Sequence, residues 1–242
     1  MQSLGVVLLS GGLDSCVVAA LARRRAVQLQ ALTLRYGQRH ARELDAARAV
    51  ASALAIPQRE ADVSFFGALA WYSSLTTPER FPLPQDRPLE AAGTAIPSTY
   101  VPLRNTFFIA LAAALVESAA LEAIEQHGAS PAELRAAVYI AANAIDYSGY
   151  PDCRPEYYAQ VSETLCRGSK IGTEYGVPIR VETPILALGK AEIVRLGVEL
   201  AAPLELTWSC YAGGARPCGR CDSCRLRAEG FAAAGLPDPA LR

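Results

Sequence analysis

No lysine precedes Lys170 in this chain of 242 residues. That absence excludes a Walker-type phosphate loop, whose G-x-x-x-x-G-K-[ST] pattern puts a lysine beside the glycines. The adjacent glycines Gly11 and Gly12 also lack the G-x-G-x-x-G spacing of a dinucleotide fingerprint. Long apolar runs are missing as well. The longest strongly apolar one, Phe107 to Val116, has ten residues, against the roughly 20 of a membrane helix. It reads as a buried helix, and no membrane partner is expected. Val6 to Leu9 is too short for the core of a signal peptide, and Asp14 follows soon after. Charge of one sign is not in excess: the formal net charge is −1. Nothing therefore attracts a polyanion in general, and a small-molecule substrate is favoured over nucleic acid. Histidine is scarce, His40 being one of two; it fits either a base or a polar residue at the start of a surface helix.

What is present describes a globular protein, with 51% hydrophobic and 19% charged residues. The length allows one large domain, or one domain with an appendage. Seven cysteines without a secretory signal read as metal ligands and free thiols of a reducing compartment, which places the protein in the cytoplasm.

Val6 to Leu9 has the continuous apolar character of a strand covered on both faces, and Cys16 to Arg24 has the spacing of a helix. Ser10-Gly11-Gly12-Leu13-Asp14-Ser15 joins them. Two glycines there remove Cβ atoms that would hold a ligand off the backbone, and the N–H groups of the helix start suit a phosphate. An ordinary turn with an Asp or Ser cap is the alternative. A second strand at Val27 to Leu34, a helix at Ala41 to Ala55 and a third strand from Glu60 to Val63 continue a βαβ rhythm. Such a rhythm gives a parallel sheet with ligands at the carboxyl edge of the strands. Trp71 to Ser98, broken by five prolines, reads as a flap over that edge, with plain disorder as the alternative.

Asn105 or Thr106 is placed to cap an apolar helix from Phe107 to Glu125, and Ser130 to Glu133 fits a capping box with proline in the first turn. A strand is expected at Val138 to Ala141. After it, Asp146 to Pro155 holds two carboxylates, an arginine, two tyrosines and a thiol. Those groups suit a planar heterocycle with an N–H edge; equally, Asp152 and Arg154 could pair with each other or cap a helix from Glu156 to Glu174. A strand at Ile179 to Thr183 and a helix from Gly189 to near Leu200 complete the pattern.

Cys210, Cys218, Cys221 and Cys224 form C-x7-C-x2-C-x2-C, a spacing for four-thiolate zinc with no position open to water, hence structural. An iron–sulfur cluster is the competing reading. Arginines 216, 220, 225 and 227 keep a nucleic-acid module open, although aromatic interleaving is sparse. Cys16 and Cys166 read as buried small hydrophobes, and Cys153 as either that or a covalent nucleophile.

Taken together, Ser10 to Ser15, Arg35 to His40, Val101 to Asn105, Asp146 to Pro155 and Thr207 to Tyr211 with the following cysteines resemble the 7-cyano-7-deazaguanine synthase family. That family belongs to the pyrophosphate-loop ATP pyrophosphatases. The likeness spans nearly the whole chain. Two stretches depart from the family's pattern, the proline-rich one before Tyr100 and Ala119 to Pro131, and they bear on loop shape and subunit contacts. The resemblance implies an α/β fold, a Rossmann-like parallel sheet sandwiched by helices, over residues 1–205. A zinc-binding segment over 206–242 would pack on it. It further implies that 7-carboxy-7-deazaguanine, ammonia and ATP are converted to the 7-cyano compound by way of adenylates. ATP with Mg²⁺ would rest on Leu9, Ser10, Gly11, Gly12, Leu13, Asp14 and Ser15. Asp14, Arg104 and Lys190 would be catalytic, and Asn105, Asp146, Tyr150, Asp152 and Arg154 would hold the substrate. One zinc on the four cysteines and a homodimer are expected. A tRNA-thiolating or other amide-forming enzyme of the same superfamily and a zinc-dependent nucleic-acid binder with a vestigial nucleotide fold remain the alternatives.

Overall fold

In the computed structural model, residues 2–26, 28–37, 41–86, 96–143 and 150–241 are described. His40 and Asp146 lie outside them.

Strand β1 (Gln2–Leu8) is the centre of the sheet, because its residues are hidden on both sides. It pairs in parallel with β2 (Gln28–Arg35) on one flank and with β4 (Leu134–Tyr139) on the other, Val7 standing opposite Ala31 and Tyr139. β3 (Gln58–Asp62) and β5 (Ile179–Glu182) form the edges, giving the order β3-β2-β1-β4-β5, parallel throughout. The side-chain period of two divides the core into two layers. Leu4, Val6 and Leu8 point to one, with α3 (Ser64–Leu69), α4 (Arg104–Leu121), α5 (Pro155–Gly168) and α6 (Lys170–Thr173). Val7 and Leu9 point to the other, with α1 (Leu13–Arg25), α2 (Ala41–Ala53), α7 (Lys190–Glu199) and α8 (Asp222–Ala234). The expected helix–sheet–helix sandwich is therefore present. Phe231 of α8 is buried among Val7, Val17 and Ile193, so residues beyond 205 share the main core.

Several boundaries differ from expectation. α4 begins at Arg104, with Leu103 before it in the left-handed region (φ 55°) and no side-chain cap. Asn105 and Thr106 are therefore inside the helix, and the Thr106 hydroxyl bonds Tyr157 at 2.7 Å. From Arg104 to Gln126 this helix is long and apolar enough to cross a membrane by length and composition. In the fold it lays Ile109, Ala112, Ala113, Val116 and Ala120 on the sheet. It ends in a π-helical turn at Glu122–Gln126. The capping box at Ser130 yields one 3-10 turn, Pro131–Glu133, without a side-chain bond. β4 then starts at Leu134, four residues ahead of the expected Val138. Its alanines are strand residues because both faces are covered, which overrides their helical preference. The helix expected over 156–174 breaks at Ser169, whose extended backbone (φ −110°, ψ 149°) separates α5 from α6 and whose hydroxyl accepts from Gly172 N–H.

Within 71–98, the described residues are held in place. Ser73 and Ser74 are buried, Leu75 reaches the site described below, and Leu83 packs on the cysteine cluster.

Candidate active site and cysteine cluster

Beyond the carboxyl edge of β1, Ser10 to Ser15 turn the chain into α1. Ser10 and Ser15 hydroxyls bond each other at 3.0 Å, and the Ser15 hydroxyl also donates to the Gly12 carbonyl. The two glycines have separate tasks. Gly11 stands at φ 88°, and a Cβ there would lie 2.3 Å from the Glu43 carbonyl oxygen, so its bareness lets α2 close on the loop. Gly12 has ordinary backbone angles, and the nearest atom to an added Cβ is 3.5 Å away. Its bareness opens the loop outward. The first-turn N–H groups of α1 have no acceptor within the helix, and Gly12, Leu13, Asp14 and Ser15 all line a cavity of about 310 Å³.

Opposite the loop, Lys190 at the start of α7 holds Asp14 with Nζ 2.8 and 3.0 Å from its two carboxylate oxygens. Gly230 of α8 makes the room: a Cβ there would fall 2.3 Å from Lys190 Cγ. The cavity is also lined by Tyr36, Glu43, Tyr100, Arg104, Asn105, Tyr150, Asp152 and Cys153. Burial alone weakens the charge on Arg104, yet the phenols of Tyr36, Tyr150 and Tyr211 hold its guanidinium firmly protonated. Burial pushes the Glu43 carboxyl up to about 7 against the pull of Arg104. Asp152 is also raised by burial, and the Asn105 backbone N–H bonds it. It thus sits over the first turn of α4 and not of α5. Tyr150 shares a 2.8 Å hydrogen bond with Thr99. Burial lifts the Cys153 thiol to about 11, which leaves it uncharged at neutral pH and a poor nucleophile.

The four cysteine sulfurs lie within 4.8 Å of one another. A tetrahedral zinc with bonds of about 2.3 Å needs sulfurs about 3.8 Å apart, and the Cys218–Cys224 separation is 4.0 Å. Backbone N–H groups of Ala212 and Cys218 point at Cys210 Sγ, and those of Arg220 and Cys221 at Cys218 Sγ, at 3.3–3.4 Å. This is the surrounding that negative sulfur requires. Gly219 takes a left-handed φ of 70° to turn the chain between Cys218 and Cys221. The donors fit a four-coordinate metal, with no water position implied.

The family model for "Queuosine biosynthesis protein QueC" matches residues 4–235. This chain belongs to the QueC family. A QueC-family relative named 7-cyano-7-deazaguanine synthase from Nostoc is 44% identical over 234 residues, covering 97% of this chain and 95% of the relative. One of the same name from Thermoplasma acidophilum is 42% identical, covering 97% and 90%. Among solved structures, an ammonia-dependent NAD synthetase from Campylobacter jejuni is similar with a TM-score of 0.41 and 19% identity, over 84% of this chain and 66% of that one.

In this QueC-family chain the cavity brings together Leu9, Ser10, Gly12, Leu13, Asp14, Ser15, Arg104, Asn105, Tyr150, Asp152 and Lys190. Arg154 is not among its walls; it is exposed, at the start of α5. Several wall residues had no local signal. Glu43 comes from a helix face that reads as surface. Arg227 of α8 is buried, bonded to both oxygens of Asp238 and to the Thr207 hydroxyl, and had read as one basic residue beside a metal. Trp208, under the Arg42 guanidinium at 5.0 Å, donates its backbone N–H to the Gly11 carbonyl. Only the tertiary fold makes these neighbours.

Proposed function

We propose that this chain converts 7-carboxy-7-deazaguanine and ammonia to 7-cyano-7-deazaguanine at the expense of ATP, in the cytoplasm. One observation carries the reading: a glycine phosphate loop, two cations and a ring-and-carboxylate wall converge on a single 310 Å³ cavity. The family membership supports the same chemistry.

On this reading ATP lies with its phosphates on residues 9–15, where helix-start N–H groups and the α1 dipole favour negative charge. Lys190 and Arg104 stabilise the charge that develops as the substrate carboxylate attacks the α phosphate, releasing pyrophosphate. Asn105, Tyr150 and Asp152 orient the deazapurine. Ammonia then displaces AMP to leave the amide, and a second ATP activates the amide oxygen. Loss of AMP and a proton yields the nitrile. The protein positions and screens, and no covalent enzyme intermediate is needed. Mg²⁺ bound beside Asp14 would supply further screening of phosphate charge. Asp146 and Arg154 complete the substrate assignment. Residues 1–205 form the nucleotide-binding part, and 206–242 hold a structural zinc on Cys210, Cys218, Cys221 and Cys224. A homodimer accords with the exposed apolar side chains Phe65, Leu69 and Tyr72, and nucleic acid is no partner.

The test is direct. Purified protein with ATP, ammonium and the 7-carboxy compound yields a product of the nitrile's mass together with AMP. Absence of AMP, combined with tight tRNA binding, sinks the reading.

A further inference from the structure

Among the described residues, three carboxylates line the cavity: Asp14, Glu43 and Asp152. Two are engaged. Both oxygens of Asp14 accept from Lys190, and Asp152 accepts the Asn105 backbone N–H. Among the described residues no hydrogen bond reaches the Glu43 side chain, although its position is fixed. Its own carbonyl backs onto Gly11, and Ala46 and Ala47 of the next turn press on the same glycine.

Glu43 and Arg104 feel each other's charge, yet no described hydrogen bond or ion pair joins them. A guest between them would meet a cation on one side and a proton acceptor on the other. That suits the amide-forming step of the reaction proposed above, on which this inference rests. The phosphoryl oxygens of the leaving AMP favour the Arg104 side, and the incoming nitrogen must lose a proton.

We infer that Glu43 is the catalytic base for the nitrogen nucleophile. The nitrogen lone pair of ammonia attacks the acyl carbon, and the bond from that carbon to the phosphate oxygen breaks, releasing AMP. One N–H proton passes to a Glu43 carboxylate oxygen. The products are a neutral amide and a protonated Glu43, which returns its proton to solvent. The groups facing Glu43 are Arg104 from α4 and Tyr36 after β2, with Tyr150, Tyr211 and Asp152 around Arg104. Burial adds to the basicity that the step requires, since it places the carboxyl at about 7.

The experiment compares two half-reactions in Glu43→Gln. Nitrile formation from ammonium falls by about 10²–10⁴-fold, while acid-dependent exchange of pyrophosphate into ATP falls by no more than about tenfold. Hydroxylamine, whose electron-withdrawing hydroxyl makes the attached nitrogen acidic enough to shed its proton to water, restores hydroxamate formation in the variant, and Glu43→Asp regains part of the ammonium-dependent rate. The variant also melts no lower than wild type above pH 7. A carboxyl whose pKa is raised by folding destabilises the fold progressively as pH rises from about 4.3 toward its folded value, and the amide removes that penalty. Equal losses in exchange and nitrile formation overturn the assignment, as does an unchanged nitrile rate. Wild-type protein that shows no acid-dependent exchange fails one level higher, at the reaction itself.

Discussion

Gly230→Ala is a single added methyl far from the phosphate loop in sequence, yet it is expected to disable that loop. The new Cβ would stand 2.3 Å from Lys190 Cγ and 3.1 Å from its Cβ. Carbon atoms pack at about 3.5–4.0 Å, so the lysine stem must retreat by more than about 1 Å. The bonds from Nζ to Asp14, now 2.8 and 3.0 Å, cannot both survive that shift. Overpacking costs about 1–3 kcal/mol, and replacing a mid-helix glycine by alanine returns about 0.5–1 kcal/mol. The fold therefore loses no more than about 2.5 kcal/mol and stays native at 25 °C. A cation displaced by about 1 Å from the reacting phosphate costs on the order of 100-fold in rate. Pyrophosphate exchange measured beside thermal melting separates the two effects. Exchange at the wild-type rate in Gly230→Ala, with Lys190→Gln inactive, would refute the idea that Gly230 positions the lysine.

The two loop glycines should part company. Gly11→Ala forces a left-handed residue into the α2 backbone, and its melting temperature falls; Gly12→Ala keeps its stability and loses affinity in an ATP titration. Equal melting of the two would count against the division of roles. Elemental analysis should return about one zinc per chain. Stripping it with a chelator should expose new proteolytic cuts near Asp86, whose carboxylate binds Arg220 inside the cysteine loop; iron with a brown chromophore would exclude the zinc reading. Arg227→Met leaves Asp238, 6% exposed as a side chain, charged and unpaired. The expected loss is about 3–5 kcal/mol in chemical denaturation, with partial recovery in Arg227→Met/Asp238→Leu. Cys153→Ser should keep most of the turnover, and complete inactivity with a normal melt would restore a covalent role.

The alternation of strands and helices was legible from apolar runs such as Val6 to Leu9 and from crossovers forced to one hand; β3, Gln58–Asp62, is the exception, with an alanine as its one apolar residue. Phosphate-loop residues and the four cysteines were legible for a different reason: their chemistry is local, written within six and fifteen residues respectively. What escaped was non-local. The first half of β4, Leu134 to Ala137, carries little strand propensity of its own, and its place in the strand depends on helices covering both faces. Glu43 occupies a helix position indistinguishable from a solvated one until Gly11 lets that helix close in. Arg154 is exposed at the start of α5, outside the walls lined by Tyr150, Asp152 and Cys153 of the same motif, a difference of facing that spacing along the chain does not reveal.

The backbone bond from Trp208 to Gly11 bears on synthesis. Gly11 leaves the ribosome ahead of its partner and waits for it through almost two hundred residues. Gly230 and Arg227, which shape the lysine channel and the cavity wall, emerge later still. A nascent chain can assemble β1, β2 and β4 well before then, but its phosphate loop lacks a floor and its Lys190 a groove. Nucleotide binding therefore waits on residues 208 to 230, and a chain halted before residue 230 would hold a finished sheet without a working site.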